Sequence, residues 1–189
     1  VDTTVVGQEA ENVMLGWKFE KAASDQLDTL SVVSDILSNG KAGLMDIDLN
    51  QPMKIMGAGT GVEGLTDYSI FFAQGMPKQG QTLEEVRDLM LAEIEKLKRG
   101  EFDESLVKAV IANKKLNLLR SLDKNENRTE MMKDAFINGE DWAHVVGQMN
   151  RMEKMTKQQI VDFTRRHFLD NYVCVYKRLG NDTTIHKIE

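Results

Sequence analysis

Segments with the two-residue period of a β-strand alternate along this chain with longer segments that have the 3.6-residue period of an amphipathic helix. Strand patterns cover residues 12–19, 54–59, 68–74 and 172–177. Helical patterns follow four residues whose side-chain oxygens can cap a helix, Ser24, Thr82, Asp103 and Thr156. We expect the helix after Asp103 to run or kink past Asn125 and to end at Asn138-Gly139. The predicted order is therefore β-α-β-β-α-α-α-β.

This order favours an α+β fold. Two adjacent strands indicate a hairpin, and strands interleaved with helices predict a two-layer sandwich: a mostly antiparallel sheet with helices on one face. The clearest helix begins at Thr82, where Glu85 completes a capping box, and ends at Gly100. Thr156 and Gln159 repeat the capping-box pattern before the last helix.

Length and composition indicate one domain. The chain has 189 residues, of which 41% are hydrophobic and 29% charged, enough apolar material for a sizeable core. We divide it into a lead-in segment at 1–10, one α+β domain at 11–179 and a linker tail at 180–189. The chain begins with Val1 and not with Met, which is the pattern of a processed product or a piece of a longer chain.

Charge and hydropathy exclude several partner classes. The net charge of −6 argues against general binding to a nucleic-acid backbone. No run reaches the roughly 18 apolar residues of a membrane span, and there is no N-terminal targeting signal. A single cysteine, Cys174, allows neither an internal disulfide nor a thiolate metal cluster. We therefore expect no nucleic-acid partner and no membrane association.

Two glycine-containing segments resemble nucleotide-binding loops but lack their chemistry. Gly59–Gly64 matches G-x-G-x-x-G, yet it leads into a strand pattern rather than the helix whose N-terminus would hold a pyrophosphate. We interpret it as a flexible strand connection. In Gly75–Thr82, Gln81 stands where a phosphate loop has lysine, and Pro77 removes a backbone donor. A turn followed by a helix cap explains the same residues.

No complete active site is present in the sequence. The three histidines, His144, His167 and His186, include no two that are four residues apart, so neither H-E-x-x-H nor H-x-x-E-H occurs. We predict no catalytic residue and no metal ligand in this chain. His167 lies on the apolar side of a helix and is expected to be a packing residue, and Cys174 a small buried hydrophobe.

Five segments between about Glu11 and Arg178 are informative together: Val13–Trp17, Asp28–Leu37 followed by Asn39-Gly40, Thr82–Val86 with Glu93–Leu97, Phe102–Leu106, and Met155–Val161. Jointly they resemble the non-catalytic domain of the pitrilysin/insulinase-type zinc peptidases, the family that includes mitochondrial processing peptidase. One departure follows the first helix: Gly40–Leu44 stands where many members have a serine followed by a basic residue and leucine. Whether that loop contacts peptide is left open.

The resemblance implies a function. In that family an α+β sandwich is repeated two or four times, one repeat carries the inverted zinc motif, and a partner repeat without it helps to close a chamber around unfolded peptides. The parent would then be a zinc metalloendopeptidase, with zinc in the catalytic repeat of the same chain or of a homologous subunit. This chain would be inactive by itself. A bacterial periplasmic, envelope or cytoplasmic setting agrees with the family, but no residue selects a compartment.

A glycine-rich stretch is the candidate for peptide contact. Exposed strand edges can bind an extended peptide through main-chain hydrogen bonds, and small side chains let another backbone approach closely. The candidate residues are Met53, Ile55, Gly57, Gly59 and Gly61. Two functions are carried forward: a substrate-chamber domain, and a structural or assembly domain of a peptidase-like complex that does not bind peptide.

Overall fold

A computed structural model describes residues 1–181 as a five-stranded sheet with helices. The strands are β1 (Asp2–Gly7), β2 (Asn12–Phe19), β3 (Gly57–Gly64), β4 (Ser69–Met76) and β5 (Val173–Leu179). The helices are α1 (Asp25–Leu37), α2 (Leu83–Arg99), α3 (Glu104–Ser121), α4 (Asn125–Asn138), α5 (Trp142–Met152) and α6 (Lys157–His167), and a short π-helix covers Asp46–Asn50. The strand order is β1-β5-β2-β4-β3, antiparallel except for the parallel β1–β5 pair. The α+β class is confirmed.

The core lies between one face of the sheet and the helices. Alternate residues of β2 point into it, and Trp17 is the largest of them. The Trp17 ring lies 5.9 Å from the ring of Phe71, 5.3 Å from Phe168 and 5.0 Å from Tyr172. Its indole N–H donates to the carbonyl of Leu169 at 3.0 Å, so the one polar atom of this buried side chain is satisfied.

The helix boundaries follow the predicted signals. Thr82 and Glu85 form a reciprocal capping box, and the Thr156 side chain accepts from the N–H of Gln159 in the same way. Gly100 ends α2 in the left-handed conformation, with φ of 74°. These signals depend on residues within one helical turn, and that is why the sequence reveals them.

The predicted element order is wrong in three details. The lead-in segment contains β1, whose side chains are mostly exposed and so show no buried stripe. The second predicted strand, at 54–59, is displaced: β3 covers Gly57–Gly64. The helix predicted after Asp103 consists of two helices, α3 and α4, of which α4 ends at Asn138 as predicted, and helix α5 was not predicted. The predicted tail lies outside the described residues from position 182 onward. None of the helices described is long and apolar enough to cross a membrane.

Candidate peptide-binding edge

Strand β3 forms one outer edge of the sheet and contains three of the five candidate residues, Gly57, Gly59 and Gly61. The interpretation of these glycines as a flexible connection is wrong. They pair antiparallel with β4, where Gly61 lies opposite Phe72 and Gly59 opposite Gln74. Glycine has a low strand propensity, and the neighbouring strand supplies the side chains that stabilise this one.

The three glycines leave one face of β3 nearly free of side chains of its own. A Cβ atom added to Gly61 would lie 2.4 Å from Cζ of Phe72, so the Phe72 ring lies directly over this glycine. A Cβ atom on Gly57 or Gly59 would meet nothing within 4 Å. The backbone near the start of β3 is therefore open to close approach by another chain.

The other two candidate residues precede β3 and differ in exposure. Met53 is 69% exposed. Its φ is 53°, and no other non-glycine residue among those described has a positive φ. Ile55 is fully buried in the core. Its side chain is not accessible to a peptide, so only its backbone remains a candidate contact.

The side chain of Asn50 occupies part of the free edge. The Ala58 N–H donates to Oδ1 of Asn50 at 2.7 Å, and Nδ2 of Asn50 donates to the Ala58 carbonyl at 2.9 Å. The main-chain groups of Ala58 therefore point away from β4. In an antiparallel pair, alternate residues direct these groups to the same side, so those of Thr60 and Val62 also point outward. Neither has a backbone partner on that side among the described residues.

A buried carboxylate holds the loop before this edge. Asp46 is 3% exposed. It accepts hydrogen bonds from five groups: the N–H groups of Asn39, Lys41 and Gly43, the Ser38 hydroxyl and the Asn50 amide. The loop that departs from the family pattern is thus fixed through Asp46, and Asn50 links it to β3. Sequence reasoning missed both residues, because neither belongs to a recognisable motif.

Helix α1 fixes β3 from the core side. The Thr60 hydroxyl donates to the carbonyl of Ser34 at 2.9 Å and lies 3.0 Å from the Ser34 hydroxyl. With β4 on one flank and α1 beneath, the free edge is a supported strand and not a loose segment. A docking peptide would not have to order it.

The sheet face opposite the helices is apolar. It forms an open cavity of about 520 Å³, lined mainly by Met14, Tyr68, Ile70, Phe72, Val173 and Val175. Charged groups at its rim include Lys18, whose ammonium lies 5.0 Å from the centre of the Tyr68 ring. An exposed apolar face of this kind is typical of an interaction surface.

The potential metal ligands among residues 1–181 do not form a cluster. Within residues 1–181 there is no group of three or more His, Cys, Asp or Glu side chains that could hold a metal ion. His167 packs on Phe163 with ring centres 4.5 Å apart, and burial lowers the pKa of its imidazole. Cys174 is fully buried, and burial raises the pKa of its thiol. Both therefore have the packing roles that the sequence indicates, while His186 lies outside the described residues.

Comparison with known proteins identifies the fold. No family model matches the sequence, and no curated protein matches it. The structure of a peptidase M16 inactive domain from Pseudomonas fluorescens superposes with a TM-score of 0.79 at 11% identity, over 95% of this chain and 44% of that one. This chain has the M16 peptidase-domain fold. The resemblance found in the sequence is thus confirmed at the level of the fold.

Two further structures show how much of a protein a domain with this fold represents. The inactive peptidase domain of a protein assigned as a zinc protease from Bordetella parapertussis gives a TM-score of 0.81 at 12% identity, over 95% of this chain and 97% of that one. A protease from Helicobacter pylori gives 0.87 at 18% identity, over 94% of this chain but only 43% of that one. This chain therefore spans less than half of the Helicobacter protein.

Proposed function

We propose that this chain is the non-catalytic domain of a larger zinc metallopeptidase that cleaves peptides or unfolded proteins, and that β3 is its peptide contact. The fold supports the first part, together with a sequence that contains no H-x-x-E-H motif. The free edge at Thr60 and Val62 supports the second. Zinc and the activated water would come from a catalytic domain of the same parent chain or of a homologous subunit.

The edge allows main-chain recognition of an extended peptide. Thr60 and Val62 each present one N–H and one C=O outward, the groups that an added strand requires. Because such hydrogen bonds contribute only about 0.5–1.5 kcal/mol each in water, this domain alone would bind a peptide weakly. Main-chain bonds are independent of side-chain identity, which suits a domain that handles varied unfolded segments.

The apolar sheet face would meet the rest of the parent protein. It lies on the side of the sheet away from the helices, and it continues to Phe72 beside the glycines of β3. A catalytic domain packed there would cover the exposed apolar side chains and place its active site near the β3 edge. The second function carried forward, assembly without peptide binding, would use this face and not the edge.

An NMR titration distinguishes the two functions. The probe is an unstructured 12-residue peptide rich in valine and threonine, added to the ¹⁵N-labelled chain. We expect the largest shifts at the amides of Thr60 and Val62. The control is the same peptide with alternate amides N-methylated, which removes the donors along one edge and should abolish the shifts. No shift at β3 at millimolar peptide, with or without the catalytic domain, would support assembly alone.

A matched pair of variants tests the edge within the protein. Val62→Pro and Val62→Ala both remove the valine side chain, but only proline also removes the outward N–H. Proline is tolerated at an edge position whose N–H faces solvent. We expect Val62→Pro to weaken binding of the peptide at least about threefold relative to Val62→Ala, which corresponds to the loss of one hydrogen bond. Equal affinities would contradict docking at β3.

A further inference from the structure

His144, at the start of α5, lies between two carboxylates. Its Nε2 is 2.7 Å from Oδ1 of Asp25 in the first turn of α1, and its Nδ1 is 2.6 Å from Oε1 of Glu140, just before α5. Asp25 is 119 residues away in sequence, whereas Glu140 belongs to the same local segment. The Asp25 contact therefore joins α5 to α1.

Both contacts exist together only when His144 is protonated. A neutral imidazole has one N–H and one lone pair, and in that state one ring nitrogen would face a carboxylate without a proton between them. The hydrogen bond with Asp25, followed by that with Glu140, raises the pKa of His144 above its ordinary value of about 6.5. The hydrogen bond between His144 and Asp25 also lowers the pKa of the Asp25 carboxyl group.

The sign of the pH dependence follows from these directions. Because the pKa of His144 is raised in the folded chain, the stabilisation is fully present below about pH 6.5 and is lost as the pH rises through the raised value. On the acidic side it persists until Asp25 is protonated below its lowered pKa. The contact is thus weakened at alkaline pH.

Helix α5 has few buried side chains. Met152 is its one fully buried residue, Met149 is partly buried against the core, and Ala135 is the one buried residue of the preceding α4. Helices α1, α4 and α5 surround a cavity of about 570 Å³, which His144 borders. A segment with so few buried side chains depends on its polar contacts and opens at a low free-energy cost.

We propose that the His144–Asp25 contact is a pH-dependent clasp, which holds the start of α5 against α1 and releases it as the pH rises. Asp25 is the partner that separates, because its side chain is 77% exposed and can turn into solvent, whereas Glu140 is 19% exposed. Release widens the cavity between α1, α4 and α5 from the His144 side.

Other charged groups around His144 set how far the helix moves. Arg151 of α5 contacts Asp28 of α1 at 2.7 Å and Asp25 at 3.5 Å, and it also donates to the His144 carbonyl. Arginine stays charged over the accessible pH range, so this second attachment remains. Glu130 and Asp134 of α4 line the same cavity and add negative charge. Loss of the His144 proton therefore removes the side-chain attachment of the first turn of α5, while Arg151 continues to hold the helix to Asp28.

Amide hydrogen exchange of the 189-residue chain between pH 6 and 8.5, corrected for intrinsic rates, tests the clasp. We expect protection in the first half of α5 to fall about two- to fivefold over this range, the effect of one partly exposed ion pair. Asp25→Asn should show the lower protection already at pH 6, with no further fall. Asp170→Asn removes an exposed carboxylate without a contact to His144, so it should behave like the unmodified chain.

Titration of the histidine ring protons supplies a second measurement that does not depend on helix motion. Asp25→Asn should bring the pKa of His144 back toward its ordinary value and leave that of His167 unchanged, because His167 packs on aromatic rings elsewhere. Protection in α5 that is independent of pH in the unmodified chain would overturn the proposal. Protection in α5 that still falls with rising pH in the Asp25→Asn variant would overturn it as well.

Discussion

Replacement of Asn50 by alanine tests whether one side chain secures the β3 edge. The change removes the two hydrogen bonds with Ala58, of 2.7 and 2.9 Å, and a longer one of 3.3 Å to Asp46. Each of the two short bonds contributes about 1 kcal/mol net, and Asp46 keeps its other four donors. We therefore expect a loss of about 2 kcal/mol in the free energy of unfolding. For a domain of this size, that lowers Tm by roughly 4–8 °C.

Urea unfolding followed by circular dichroism measures the change, and Gln51→Ala is the matched control. Gln51 is the adjacent residue, with the same functional group, but it is exposed and its side chain donates only to the Lys41 carbonyl at 2.9 Å. We expect the control to cost less than about 0.5 kcal/mol. If the two variants lost equal stability, Asn50 would not secure the edge, and the reasoning that separates Ala58 from Thr60 would fail.

Two further outcomes depend on close packing and on burial. Gly75→Ala should destabilise the chain by about 1–3 kcal/mol in urea unfolding, because a Cβ atom there would lie 2.5 Å from Cγ1 of buried Val86 and 2.9 Å from Sδ of Met90. Gly59→Ala meets open space and should change stability by less than about 0.5 kcal/mol, and a larger loss there would contradict the packing argument. Cys174 should react with a thiol reagent at pH 8 at least about 100-fold more slowly in the native chain than in urea. The raised pKa of the thiol lowers the fraction present as thiolate, and the buried side chain reacts only when the surrounding structure opens. Equal rates in the native chain and in urea would show that the thiol is accessible.

The helix ends were predictable because their determinants are local. The capping box of Thr82 and Glu85 and the left-handed Gly100 involve residues within a single turn, and the structure confirms both. The buried stripe of β2 was equally visible, since its alternating apolar residues all face one core. Such patterns carry their information in consecutive residues.

Strands β1 and β3 were harder to predict because their partners determine them. Within residues 1–181, β1 pairs with β5 alone, about 170 residues away, and its exposed side chains give no periodic signal. β3 is rich in glycine, and a strand at that position depends on the β4 side chains opposite, especially Phe72. Strand formation there is a property of the sheet and not of the segment.

The candidate site was predictable only in part. The sequence directs attention to the glycines that make β3 accessible, but it does not reveal that Asn50 covers Ala58 and leaves Thr60 and Val62 free. Nor does it indicate that Ile55 faces the core. These facts depend on the register between β3 and β4 and on the loop around Asp46, and neither is encoded in a local pattern.

The position of β5 determines when the sheet can be completed during synthesis. β5 follows the other four described strands in the chain, yet it lies between β1 and β2. Both of these strands therefore lack this partner until β5 has been synthesised. Until then β2 exposes one unpaired edge and β1 has no neighbour within the described sheet. A nascent chain in this condition is open to aggregation through those edges. We therefore expect edge-to-edge association to be greatest after β1–β4 have been made and before β5 follows.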